Sequence, residues 1–281
     1  MCSPTSTIST LAAPDAEYTH LLADDIHLST AGQIIEADYE YSLITAPTEI
    51  SLLAEAPVKT RQTMIEGMFT QIGLGQPIWA DIIGSAGLIN DQVNRIVPIG
   101  IAQLSNTGST SSNLSLAAEG GYNFRSGPVT HGPLAGMLLQ HIYIDGYTET
   151  DPFAAVGGFT ALSYANQIRN SAVSELGYQA SAQIGNWSPF AKLTWDHEFG
   201  GANRTVTASL TTIAAPSYYM PALVFGTDWM TLSAGTSFRL ERGIIGYAMF
   251  TGGLAQNDVT SYGAQVGVNV ALNEWIAPKA F

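Results

Sequence analysis

The chain has 281 residues, 46% of them apolar and only 12% charged, with a formal net charge of -13 and a single cysteine, Cys2. An acidic chain without a basic stripe does not suit a nucleic-acid partner, and one cysteine rules out an internal disulfide. No run of ~18 consecutive apolar residues is present, so a membrane span has to be a closed β-barrel, the other architecture that satisfies its backbone in lipid.

The charged fraction lies below the roughly 25% of a soluble domain. The N-terminus has no basic segment followed by an apolar one, as a secretory signal would. The expectation is that the chain begins in the middle of a longer ancestral protein. Residues 1–22 are rich in Ser, Thr, Pro and Ala and read as loop. Thr30, followed three residues later by Gln33, has the spacing of a capping box and predicts a helix start, with Ala31, Ile35, Tyr39 and Leu43 as its buried face. Pro47 ends this helix or begins the next. A second helical stretch runs from about Thr48 to Phe69, with Pro57 placed as in the first turn of a new helix.

From about Trp79 the apolar period changes to two, the signature of strands with one apolar and one polar face. In 261–272, Tyr262, Ala264, Val266, Val268, Val270 and Leu272 alternate with Ser261, Gly263, Gln265, Gly267, Asn269 and Ala271. The predicted strands are 79–89, 93–104, 113–125, 133–147, 171–186, 188–199, 229–240, 244–255 and 260–272. The segment 133–147 alternates poorly. Asn186–Pro189 and Glu241–Gly243 read as tight turns, whereas Asp145–Asn170 and Gly200–Asp228 are long connections. Short and long loops in alternation, with Tyr122, Phe124, Tyr147, Trp187, Trp195, Phe199, Trp229 and Tyr262 near strand ends, fit an outer-membrane barrel with aromatic girdles. A soluble antiparallel sandwich also alternates, but its polar face carries more Lys and Glu than this one.

Asp24-Asp25-Ile26-His27 is the one constellation with catalytic spacing. A carboxylate three residues before a histidine can meet it across a turn and hold the imidazole for proton transfer. A surface His beside an unrelated Asp is the plainer explanation. His20, His131, His141 and His197 show no ligand spacing, so no metal or cofactor site is expected. Lys59 and Arg61 either face a polar lumen, pairing there with Glu119, Glu175 or Asp196, or lie on an exposed helix face.

The segment ADDIHLSTAGQIIEADYEYSLITAP resembles the last block of GDSL-type (SGNH) esterases and lipases, with Leu28 where that family has Pro. The segments DGYTETDPFAAVGGFTALSYANQIRNSAVSELGYQ, FAKLTWDHEFGG, SAGTSFRL and YGAQVGVNVALN resemble strands of the esterase autotransporters, a type V secretion family. There, an ester hydrolase passenger is joined by a helix to a C-terminal β-barrel translocator. The resemblance covers residues 15–272. It implies a mainly β fold, an antiparallel transmembrane β-barrel preceded by a helical remnant of the hydrolase. The implied division is 1–47 (end of the passenger), 48–70 (linker helix) and 71–281 (barrel). It further implies outer-membrane lipid and the barrel assembly machinery as partners, with an ester substrate only in the intact family.

By the same resemblance, Asp24 and His27 match the triad aspartate and histidine. No G-D-S or G-x-S-x-G string occurs in the chain, so the nucleophile is missing and no esterase activity is expected. The family barrel has twelve strands, against about nine predicted here, which suggests missing strands. Asn273–Ala280 intervenes before the terminal aromatic Phe281, with Pro278 unable to donate a ladder hydrogen bond. The expectation is a truncated, inactive translocator and anchor. The alternatives are a free-standing pore, with residues 1–70 as plug or relic, and a non-functional gene remnant.

Overall fold

A computed structural model describes residues 18, 21–22, 27–72, 77–97, 102–105, 109–150, 161–200, 203–211, 214–241 and 243–270. Helix α1 spans Thr30–Ile50 and α2 spans Leu52–Ile72. The cap of α1 is Ser29, not Thr30. Ser29 is extended and its hydroxyl accepts from the Gly32 amide at 3.1 Å, so Thr30 already lies inside the first turn. Pro47 neither ends α1 nor begins α2. It lies inside α1, where its missing N–H leaves the carbonyl of Leu43 without the usual donor. The Tyr218 hydroxyl donates to that carbonyl at 3.0 Å. The buried face of α1 is Gly32, Ser42, Ala46, Pro47 and Ile50, rotated from the expected one, and Ile35 is exposed.

Eight long strands form one antiparallel sheet: β1 (Ile78–Asp91), β4 (Ser109–Tyr122), β6 (Val129–Ile144), β9 (Gln167–Ala182), β10 (Trp187–Glu198), β13 (Asp228–Glu241), β14 (Ile244–Leu254) and β15 (Tyr262–Val270), in that spatial order. The short β5 (Phe124–Ser126) adds to β6. The predicted strand 93–104 is instead a separate hairpin of β2 (Asn94–Val97) and β3 (Ala102–Ser105), so among the described residues the count of about nine spanning strands falls to eight. Among the described residues β1 and β15 each pair on one side only.

The sheet curls around α2, which touches β1 and β15 as well as strands between them. At one end the turns are tight. Gly127, Gly185 and Gly243 have φ of +62°, +59° and +77°, a region open to glycine at no steric cost. Ile184 and Trp187 exchange both backbone hydrogen bonds across Gly185-Asn186; glycine at the first central position is the signature of a type II′ hairpin. The long connections lie at the other end.

The two faces of the sheet are inverted relative to a water-soluble protein. Ile82, Leu114, Leu116, Leu176, Leu193, Val266 and Val268 are exposed, while Asn113, Glu119, Gln140, Glu175, Gln179, Lys192, Asp196 and Thr231 are buried. Strand β6 reads ambiguously because both its faces are apolar. Met137, Leu139 and Tyr143 point outward, and Leu138, Ile142 and Ile144 point in, against Ala54, Val58, Ile65 and Phe69 of α2. Tyr122 stacks edge-on against Phe124 at 4.9 Å and Trp187 meets Phe238 at 5.5 Å near the tight turns, while Phe250 stacks on Tyr262 at the far end. Two expected girdle residues are not in the girdle. Trp229 lies on the inner face of β13 and Tyr147 in a separate core, both buried.

That second core caps the long-loop end. Strands β7 (Tyr147–Thr148), β8 (Leu162–Tyr164), β11 (Thr205–Leu210) and β12 (Tyr218–Pro221) form a four-stranded sheet in the order β12-β11-β8-β7. Tyr147, Leu162, Tyr164, Val206 and Ala208 pack with Ala46 and Ile50 of α1. Arg95 of β2 is held in a bidentate pair by Glu149 at 2.7 and 2.6 Å, a strong geometry. Glu149 also accepts from the Leu162 amide at 2.9 Å and the Tyr164 hydroxyl at 3.3 Å.

Burial, and secondarily the Glu149 charge, push the Tyr147 and Tyr164 hydroxyls well above their ordinary pKa. Burial pushes Tyr218 up to about 12. The unfolded cap would therefore release these protons first. Its stability is complete below the unfolded value of about 10 and declines as the pH rises towards about 12. Spectrophotometric titration of the folded protein is expected to show tyrosinate forming late and together with loss of protection of the α1 amides. Early, non-cooperative ionisation of all tyrosines would contradict this packing.

Candidate functional site

The inner face of the sheet and α2 enclose a polar lumen, and its charges are concentrated at two levels. The lower level follows from strand register. Asp81 of β1 stands opposite Glu119 of β4, Glu119 opposite Gly136 of β6, Gly136 opposite Glu175 of β9, and Glu175 opposite Asp196 of β10. Residues in register across a sheet share a face, so this row brings four carboxylates to one height. Gly136 makes room for it: a Cβ there would stand 3.2 Å from Glu175 Oε2.

Lys192 of β10 answers this acidity. Its ammonium donates to Glu119 and, at 3.0 Å, to Glu66 of α2, and lies 4.0 Å from Glu175; all four side chains are 1% exposed or less. The lysine therefore ties the helix to three strands. The Thr231 hydroxyl donates to Asp196 beside it. Oxygens of Glu66, Glu119 and Glu175 approach within 4.8 Å of one another, but the ammonium stands among them, so a metal ion would have to displace Lys192.

The upper level joins the start of α2 to the sheet and to the connection after β10. Arg169 of β9 donates to Glu55 of α2 at 2.8 Å and to Glu198 of β10 at 3.2 Å. Arg204 reaches the same Glu55 at 3.2 Å, the Ser51 carbonyl at 2.9 Å and Gln167 at 2.8 Å. The Lys59 ammonium lies 3.8 Å above the centre of the Trp229 ring, a cation–π contact. Asn113 and Gln140 donate to the Pro57 and Val58 carbonyls, at 3.5 and 3.1 Å. The arrangement grips a helix along its length.

Direction completes the geometry. α2 enters from the capped, long-loop end and leads on to β1, which starts at the tight-turn end. An inverted sheet, a helix threaded through it and an N-terminal segment on the long-loop side are the parts of a translocator that carries its upstream chain to the far side of a membrane. Residues 58–251 match the family model described as "Autotransporter beta-domain". The chain belongs to the autotransporter β-domain family. It is also similar, at 28% identity over 145 residues, to a Pseudomonas putida protein described as "Uncharacterized protein in trpE-trpG intergenic region". That stretch is 50% of this chain and 24% of the relative, so the chain spans about a quarter of the length of the curated relative it matches. Membership of the autotransporter β-domain family implies a bacterial outer-membrane location.

The β-domain holds few of the residues singled out from sequence motifs. Asp24 lies outside the described residues, and His27 sits exposed in the bend before α1. Lys59 does face the lumen, but its contact is the Trp229 ring; Glu119 and Glu175 are met by Lys192. Arg61 lies half-buried along Gly87 of β1. His197 points outward and pairs with Asp228 at 2.9 Å. Lys192, Glu66, Arg169 and Glu55 were not singled out for this network. The available signal was a charge on the polar face of a spanning strand, which must find a partner inside.

Removing one partner of a buried ion pair costs about 3–5 kcal/mol, whereas replacing the whole group by apolar or neutral residues is far milder. Lys192→Met is therefore expected to lower the urea midpoint of the vesicle-embedded β-domain steeply. Combining it with Glu66→Gln and Glu119→Gln should recover most of the loss. Equal stability of wild type and Lys192→Met would show that the helix is not held this way.

Proposed function

We propose that this β-domain anchors and exports a GDSL-type ester hydrolase passenger at the bacterial cell surface, with α2 as the linker left in the lumen. The single observation that carries the reading is the course of α2 through an inverted sheet, which leaves α1 on the long-loop side. The short turns then face the periplasm and the long loops the exterior. Outer-membrane lipid meets the outward side chains, and the barrel assembly machinery would insert the sheet. The proposed division is 1–47 for the end of the passenger, 48–70 for the linker and 71–281 for the barrel.

What supports the hydrolase passenger is the Asp24-x-x-His27 string and the block around it. In an intact relative, the serine would attack the ester carbonyl, the histidine matching His27 would take its proton and the aspartate matching Asp24 would orient it. This chain carries no G-D-S string, so its triad has no nucleophile to activate. The one-sided pairing of β1 and β15 among the described residues favours a second reading, a product that does not close into a barrel by itself. The filled lumen weighs against an open pore.

The test is topological. With a signal peptide supplied and an epitope inserted before Ser29, intact cells are expected to bind the antibody and to lose the epitope to external protease. The folded protein should also shift in mobility on heating. An epitope reached only after lysis would overturn the translocator reading. Short-chain nitrophenyl ester turnover should be indistinguishable between wild type and His27→Ala; turnover lost in that variant would refute the missing-nucleophile argument.

A further inference from the structure

Beneath α2, at the tight-turn end, the lumen opens into a cavity of about 490 Å³. The strand parity that turns Ser181, Ser188, Ser237 and Thr130 inward also directs Arg125 and Arg239 to its wall. Among the described residues no carboxylate lines it, although the chain has 23 acidic residues against 10 basic ones. Five other cations of the lumen and cap have partners: Lys192 with Glu66 and Glu119, Arg169 with Glu55 and Glu198, Arg204 with Glu55, Arg95 with Glu149, and Lys59 with Trp229; Arg61, against Gly87 of β1, joins no ion pair among the described residues. Arg125 and Arg239 have no ion pair among the described residues.

We infer that this vestibule is a binding site for a phosphate-bearing anion. Two guanidinium groups supply forked N–H donors suited to phosphate oxygens, and the hydroxyls of Thr130, Ser181, Ser237 and Tyr247 suit a hydroxylated neighbour such as glycerol, while Ser188 donates to Gln183 at 2.8 Å and Gln183 to the Gly185 carbonyl at 2.7 Å, closing the floor at the turn. The required chemistry is a glycerol phosphate, either free in solution or as the head group of a phospholipid from the adjoining leaflet. The acidic row around Lys192 higher in the lumen keeps such an anion at the mouth by like-charge repulsion. This site is independent of passenger identity and goes beyond the translocator role.

The experiment is a phosphorus NMR titration of the folded protein in an uncharged detergent, with glycerol 3-phosphate in one arm and short-chain phosphatidylglycerol in the other. Heat-dependent gel mobility confirms folding of each variant. Saturable broadening is expected in at least one arm, and which arm identifies the source. Arg125→Gln combined with Arg239→Gln should weaken binding at least tenfold, while Arg61→Gln, outside the cavity, should leave it unchanged. Absence of saturable broadening in both arms, or equal binding by the double variant, would overturn the inference.

Discussion

Hydrocarbon offers no hydrogen bonds, and the rest of this structure follows from that constraint. A sheet whose outer face carries Ile82, Leu114, Leu193 and Val266 has to turn its polar residues inward. Once inside, those groups need partners, because an unsatisfied polar group in a low-dielectric interior costs several kcal/mol. Ladder hydrogen bonds serve the backbone. Lys192 is served by Glu119 and by Glu66 of α2, with Glu175 4.0 Å from the same ammonium.

α2 therefore meets two different demands on its circumference. Ala54, Val58, Ile65 and Phe69 meet the apolar inner face of β6 and its neighbours. Glu55, Gln62 and Glu66 are also buried, and the two glutamates meet arginine and lysine. A helix enclosed on most sides does not need the single apolar stripe of a surface helix. Buried ion pairs of this kind contribute position more than stability. Lys192 bonds to Glu66 only at one depth of the helix, and Arg169 and Arg204 hold Glu55 a few turns above. Two such fixings separated along one helix set both its depth and its rotation.

Much of the strand pattern was legible beforehand, for a simple reason. Side chains alternate along a strand, and lipid selects one parity so strongly that 261–272, 188–199 and 229–240 announce themselves. The turn at Gly243 was legible because glycine there relieves a real steric restriction, whereas the turn expected at Asn186–Pro189 lies earlier, at Gly185-Asn186, and Trp187 already begins β10. Legibility failed where a neighbour changed the rule. Strand β6 lost its alternation because α2 covers its inner face with apolar side chains. The segment 93–104 looked like one strand and is a hairpin. Trp229 looked interfacial, but its parity puts it under Lys59. Pro47 looked like a helix end, and a hydroxyl 171 positions later in the chain, on Tyr218, takes over the carbonyl it leaves bare.

The sequence alone determined the mainly β fold class and the membrane-facing parity, because each is a local property of composition or period. Only the tertiary structure decided which charges meet. The partners of Lys192 lie 73 and 126 positions away, and nothing in a two-residue rhythm says which strand will stand beside which, or at what height. Register and the depth of α2 set those distances, and they exist only once the sheet has curled around the helix.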